Sequence, residues 1–176
     1  LAMDPNHARA LELRGNLRYW LWWQGATPDP EEDAALLAGA EEDLEAAVSI
    51  DPTLASAHAR LAGLYYMTAD PTASYLSARQ AYEADAYLSN ADEVLRRLFN
   101  AAYDVGQFTP ARWACDEGHM RFPEDPTFWR CQILEMAMPG GTPDPDRAWT
   151  LRDRTVEHAP MAQRELIDRL AQMFVA

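Results

Sequence analysis

Three observations predict an all-α fold. Glycine is scarce, at 8 in 176 residues. The 12 prolines fall at segment ends, where helices begin or stop. No run alternates apolar and polar residues between hairpin-turn signals, so strands are not expected.

The elements follow in order. The opening Leu1-Ala2-Met3-Asp4-Pro5 reads as the last turn of a helix and its stop, so more protein is expected upstream. A helix is predicted over about 6–24. Five dipeptides then read as an N-cap followed by proline at the first helical position: Asp29-Pro30, Asp70-Pro71, Thr109-Pro110, Asp125-Pro126 and Asp144-Pro145. The cap oxygen satisfies an orphan N–H, and proline lacks the N–H that would go unpaired there. They start helices over about 30–50, 71–86, 110–121, 126–138 and 145–158. Asp51-Pro52 separates two helices, so another is predicted over 53–68. Helices over 89–104 and 161–175 complete a set of about nine.

Composition excludes several classes. All 15 basic residues are Arg, and they face 28 acids, for a net charge of −13 and a pI near 4.6. Phosphate neutralisation needs cations in excess, so nucleic acid is not an expected partner. Leu, Trp, Tyr and Ala are too plentiful for a disordered acidic tail. No apolar run reaches the roughly 18 residues that span a bilayer. No charged n-region precedes an apolar stretch, so a signal peptide is not read. The compartment stays open, with the cytoplasm as the expectation.

A pattern recurs in every second helix. A small residue is followed by a second site four on, a third three further, and a terminator five later. It runs Ala40, Leu44, Ala47, Pro52; then Ser74, Ala78, Ala81, Ala86; then Ala111, Cys115, Gly118, Pro123; and, degraded, Ala148, Arg152, Thr155, Pro160. The starts lie 34, 37 and 37 residues apart. Small residues at this spacing let two helices approach closely. The alternate helices carry Leu11 and Gly15, then His58, Leu61, Ala62 and Tyr65, then Trp129.

With Asp-Pro at the boundaries, this resembles the tetratricopeptide repeat, a 34-residue helix–turn–helix unit. The resemblance covers essentially the whole chain, with 40–66 the closest copy. It implies one array over 1–176: repeats at about 8–54, 55–88, 89–125 and 126–162, and a last helix over 161–175. The implied architecture is a right-handed solenoid of helical hairpins. The first repeat carries about 11 extra residues. These extend both of its helices, through Tyr19-Trp20-Leu21-Trp22-Trp23 and Glu31–Ala40, and the aromatics either pack the longer pair or protrude as a ligand platform.

In such an array the first helix of each pair lines a concave groove that holds an extended peptide or a partner helix. A 3, 4, 3, 4 walk then picks the groove positions. The candidates are Arg9, Glu12, Asn16, Tyr19 and Trp23 on the first helix; Ser56, Ala59, Gly63 and Tyr66 on the next. They continue with Asn90, Glu93, Arg97 and Asn100, and with Thr127, Arg130 and Leu134. Asn and Arg suit a peptide backbone or carboxylate, and Tyr rings suit stacking. Relatives that bind chaperone tails hold the terminal carboxylate with Lys and Asn. Glu12 and Gly63 stand at two of those sites here and Asn16 matches another, so a chaperone tail is not the expected partner.

No catalytic set is read. His7, His58, His119 and His158 lack ligand spacing, and no nucleophile elbow, zinc motif or phosphate loop is present. His58 is expected as a core or rim residue. Cys115 and Cys131 fall at packing sites of adjacent helices and are expected as buried reduced thiols. Glu31-Glu32-Asp33 and Glu41-Glu42-Asp43 are expected on helix surfaces, so neither a metal nor a cofactor is expected.

The expected function is therefore a non-enzymatic protein-interaction scaffold for a protein or peptide partner. The alternative is a structural or oligomerisation segment that positions other domains of a larger bacterial signalling protein, such as a serine/threonine kinase. Met161–Ala176 is apolar around much of its circumference, so the array is expected to continue or to self-associate there. The groove-lining helices hold nine Arg against seven acids, so the net acidity belongs to the outer helices and loops. A near-neutral, slightly positive groove predicts ligand binding that depends weakly on salt.

Overall fold

The computed structural model describes residues 7–158 and Arg169, and every helix or strand assigned among them is a helix. The predicted helix at 161–175, the terminator Pro160 and the expected self-association surface lie outside the described residues. So does the opening pentapeptide. No helix among the described residues is long and apolar enough to cross a membrane. Two compact units, Leu1–Arg97 and Leu98–Ala176, divide within one helix.

The first unit holds α1 (Ala8–Trp23), α2 (Pro30–Ile50), α3 (Ala55–Met67), α4 (Pro71–Ala84) and the start of α5 (Ala91–Asp104). α1 and α2 form an antiparallel hairpin: Leu11 packs near Leu44 and Ala47, while Tyr19, two turns on, meets Ala40. Gly15 sits at the close approach. A Cβ there would lie 2.7 Å from Leu44 Cγ and 3.1 Å from the Ala40 carbonyl oxygen. α3 joins the same core through Ala57 and Leu61. Ser74 Oγ, buried in α4, donates to the Ala62 carbonyl at 2.8 Å.

The second unit holds the rest of α5, α6 (Phe108–Arg121), α7 (Pro126–Ala137) and α8 (Pro145–His158). Cys115 opposite Cys131, and Gly118 against the Phe128 ring, make α6 and α7 antiparallel. Trp129, Ile133 and Met136 of α7 pack on Ala148 and Leu151 of α8.

The first three positions of the recurring pattern are buried in its first three copies, whereas the terminators Pro52 and Pro123 are exposed. α2 buries Ala40, Asp43, Leu44 and Ala47; α4 buries Ser74, Ser77, Ala78 and Ala81; α6 buries Ala111, Ala114, Cys115 and Gly118. α8 buries Ala148, Leu151 and Thr155, with Arg152 half-buried at the remaining site. The alternate helices repeat a hydrogen bond. His58 Nε2 donates to the Pro52 carbonyl at 3.0 Å, and Trp129 Nε1 donates to the Pro123 carbonyl at 2.9 Å. Each donor lies six residues after its proline, and both rings are buried.

The caps explain most boundaries. Asp29, Asp70 and Asp125 accept from the backbone N–H of Glu31, Ala73 and Thr127, and Asp144 accepts from that of Arg147. Thr109 is different. α6 starts two residues before the predicted position, at Phe108, with Gln107 as its N-cap, so Pro110 lies inside the first turn. Proline is tolerated there because first-turn N–H groups lack intrahelical acceptors. α3 starts at Ala55 rather than 53, because Asp51 Oδ1 accepts from both the N–H and the hydroxyl of Thr53 and holds a turn. α4 stops at Ala84, where Asp85 turns extended and accepts from Tyr87 N–H. After α3 the chain reverses through Ala69, a left-handed residue at φ 61°. Its N–H and that of Asp70 close on the carbonyls of Tyr66 and Tyr65, the helix stop that usually carries glycine.

Two expectations are corrected here. Asp43 is not a surface acid. It is buried, and its carboxylate accepts from Arg14 Nε at 2.8 Å and Arg18 Nη1 at 2.6 Å. Arg18 also donates to the Gly39 carbonyl. Nor are Cys115 and Cys131 reduced: they form a disulfide, with Cα atoms 5.9 Å apart. The antiparallel run of α6 and α7 brings the two thiol positions face to face.

Candidate binding groove

Within the first unit α1 and α3 run side by side in the same direction. Glu12 accepts from the Ser56 hydroxyl, and one turn further Asn16 Oδ1 accepts from Arg60 Nε at 2.8 Å. Over the next turn the Arg60 guanidinium lies on the Tyr19 ring, 4.8 Å from its centroid. These bonds fix the two helices as the floor of a furrow.

Three cavities follow that floor. The first, about 490 Å³, is lined by Arg9 and Glu12 of α1, residues 53–56, and Ala84, Asp85 and Leu88. The second, about 390 Å³, is lined by Asn16, Ser56, Ala59, Arg60 and Gly63, with Ser89, Asn90 and Glu93 opposite. The third, about 410 Å³, is lined by Tyr19, Trp20, Trp23, Arg60, Glu93, Arg96 and Arg97. Ser56 borders the first two, and Arg60 and Glu93 border the last two, so the cavities form one continuous groove.

The groove brings together Arg9, Glu12, Asn16, Tyr19, Trp23, Asn90, Glu93 and Arg97 of the predicted positions. Tyr66 lies beneath one of them: the Arg97 guanidinium stacks on its ring at 4.6 Å. Asn100 and Arg130 belong to the second unit, where Arg130 Nη2 donates to Asn100 Oδ1 at 3.0 Å. The aromatics of the long first hairpin divide between packing and exposure. Tyr19 is buried and Trp22 half-buried, while Trp20 and Trp23 stand 55% and 58% exposed at the third cavity.

Trp20, Arg60 and Arg96 are the aromatic and charged lining residues of the third cavity that escape the positional walk. The walk selects Cβ positions one face wide. A guanidinium reaches several ångströms beyond its Cβ, so Arg60, next to Ala59, still fills the furrow. The adjacent pair Arg96-Arg97 is the feature of the sequence that marks this end of the groove, and the walk took only Arg97 of it.

The charge is unevenly placed. Arg14 and Arg18, counted above with the groove, turn away to Asp43. The groove's cations therefore sit at Arg9 and in the third cavity. In that cavity Glu93 Oε1 is 3.5 Å from Arg96 Nη2 and 3.7 Å from Arg97 Nη2, so one carboxylate loosely serves two guanidiniums. Burial pushes Arg97 below the ordinary arginine value, with Arg96 adding to the shift. Its buried Nε has no hydrogen-bond partner.

Among the described residues no group of three or more His, Cys, Asp or Glu is arranged to hold a metal ion. No family model and no curated protein matches the chain.

Proposed function

We propose that the chain is a non-enzymatic interaction module of the tetratricopeptide type, which holds an extended peptide or a partner helix in the groove along α1 and α3. The groove itself carries this reading: three connected cavities, floored by parallel helices tied through Glu12–Ser56 and Asn16–Arg60. The buried quartets of α2, α4 and α6, and the buried trio of α8, recur at the repeat spacing, which supports a solenoid of hairpins. A chain of polar groups beside exposed indoles suits a peptide backbone and its side chains.

A peptide-array screen tests the reading, with wild type beside the Asn16→Ala/Arg97→Ala double variant. Asn16 positions Arg60, and Arg97 is the buried cation of the third cavity, so the variant is expected to lose most of the recovered peptides. Equal recovery by both proteins overturns the groove assignment.

A further inference from the structure

We propose that the third cavity selects for acidic peptides, taking a side-chain carboxylate that is flanked in the ligand by an aromatic or large aliphatic residue. This rests on the groove reading above and names its ligand class.

The argument begins with charge. The cavity sets Arg60, Arg96 and Arg97 against the single carboxylate of Glu93, in a chain whose net charge is −13. Such a concentration of cations runs against the composition, and one carboxylate against three guanidiniums leaves the cavity with an excess of positive charge. Two of the three guanidiniums are also held in place. Arg97 is stacked on Tyr66, its side chain is 11% exposed, and its Nε lacks a partner. Arg60 lies over the Tyr19 ring, and its Nε donates to Asn16 Oδ1. Stacked, oriented guanidiniums lose little entropy on binding a planar carboxylate through paired N–H groups.

The second half of the site is apolar. Trp20 and Trp23 present more than half their surface on the same rim. Exposed indoles side by side mark a contact surface rather than a solvated one. A space of about 410 Å³ accommodates one carboxylate side chain and part of its neighbour. Glu93 reaches Arg96 and Arg97 only at 3.5 and 3.7 Å, so a ligand oxygen at hydrogen-bond distance competes well for them. A single, partly buried charge pair is little screened by salt, which keeps the expected salt dependence shallow.

The test is an array of immobilised hexapeptides, each with a free and with an amidated C-terminus, probed with the whole chain. Peptides pairing Asp or Glu with Trp, Phe or Leu are expected among the tightest binders. Changing the acid to its amide should weaken them about tenfold, whichever form the C-terminus takes. Arg96→Gln and Arg97→Gln should each abolish that discrimination, whereas Arg79→Gln on α4 should keep it. Circular dichroism establishes that each variant is folded, and Arg96, the more exposed of the two, serves if Arg97→Gln is not. Binders without acid preference overturn this inference and leave the groove reading standing. A preference that follows only the free C-terminus, or that survives in both arginine variants, also overturns it. No binder at all overturns both readings.

Discussion

The Asp43 carboxylate, 2% exposed in α2, is clamped by the Arg18 guanidinium of α1 at 2.6 Å, with Arg14 completing the clamp from one turn away. The two arginines keep 35% and 44% of their side chains exposed. This asymmetry sets the expected mutational response. Asp43→Ala lets both arginines return to water and costs about 1.5–3 kcal/mol, the range for hydrogen bonds to charged groups. Replacing Arg14 and Arg18 together with Gln strands a buried carboxylate and lowers stability further. Urea unfolding midpoints of the two proteins check the order. The reverse order contradicts the clamp.

Two glycines respond oppositely to alanine. A Cβ at Gly118 would fall 2.0 Å from Phe128 Cε1, so Gly118→Ala forces the ring or the helix pair to shift. The expected loss is about 3 kcal/mol, the upper part of the overpacking range. Gly63, in the middle of α3, meets nothing within 4 Å. Gly63→Ala therefore gains about 0.5–1 kcal/mol from helix propensity. Thermal melts of both variants read the opposite signs.

Ala69 holds φ at 61° without being a glycine. The left-handed conformation costs an alanine about 1–2 kcal/mol, against about 0.4–1 kcal/mol of added unfolded-state entropy for glycine. The first outweighs the second, so Ala69→Gly raises stability by about 0.5–1 kcal/mol. A lowered melting temperature contradicts the assigned turn.

Glu135 gives the second unit a pH signature. Burial, reinforced by Asp116 and opposed by Arg112 and Arg147, raises its pKa to about 7, and its buried Oε1 has no hydrogen-bond partner. The folded state thus holds a proton that the unfolded chain releases near 4.5. This contribution is complete below pH 4.5 and is lost as pH rises through about 7. Glu135→Gln, which stays neutral, should show a melting-temperature advantage over wild type that grows between pH 5 and pH 8. A constant difference across that range contradicts the assignment.

Local chemistry made much of the fold legible. The aspartate caps at 29, 70, 125 and 144 depend on neighbouring residues only, and each is where the sequence places it. The small-residue repeat likewise marks the buried faces. Apart from helix ends, the misreadings concern side chains whose partners or reach lie outside the local sequence. Asp43 looks like one more acid in an acidic run until Arg14 and Arg18, 29 and 25 residues earlier, are folded against it. The joining of Cys115 to Cys131 depends on the rotational phase of two helices, which spacing alone does not set. Arg60 and Arg96 reach the groove through side-chain length rather than backbone position. Thr109-Pro110 has the right residues for a cap, but Gln107 and Phe108 start the helix earlier.

The most direct measurement is a ¹⁵N chemical-shift map of the whole chain with the tightest array peptide added stepwise. The groove account predicts the largest changes at Asn16, Arg60, Gly63 and Glu93 and at the indole N–H groups of Trp20 and Trp23, with Arg79 on α4 and the backbone of α8 unmoved. Changes concentrated on the outer faces of α2 and α4, or within residues 98–158, would contradict it.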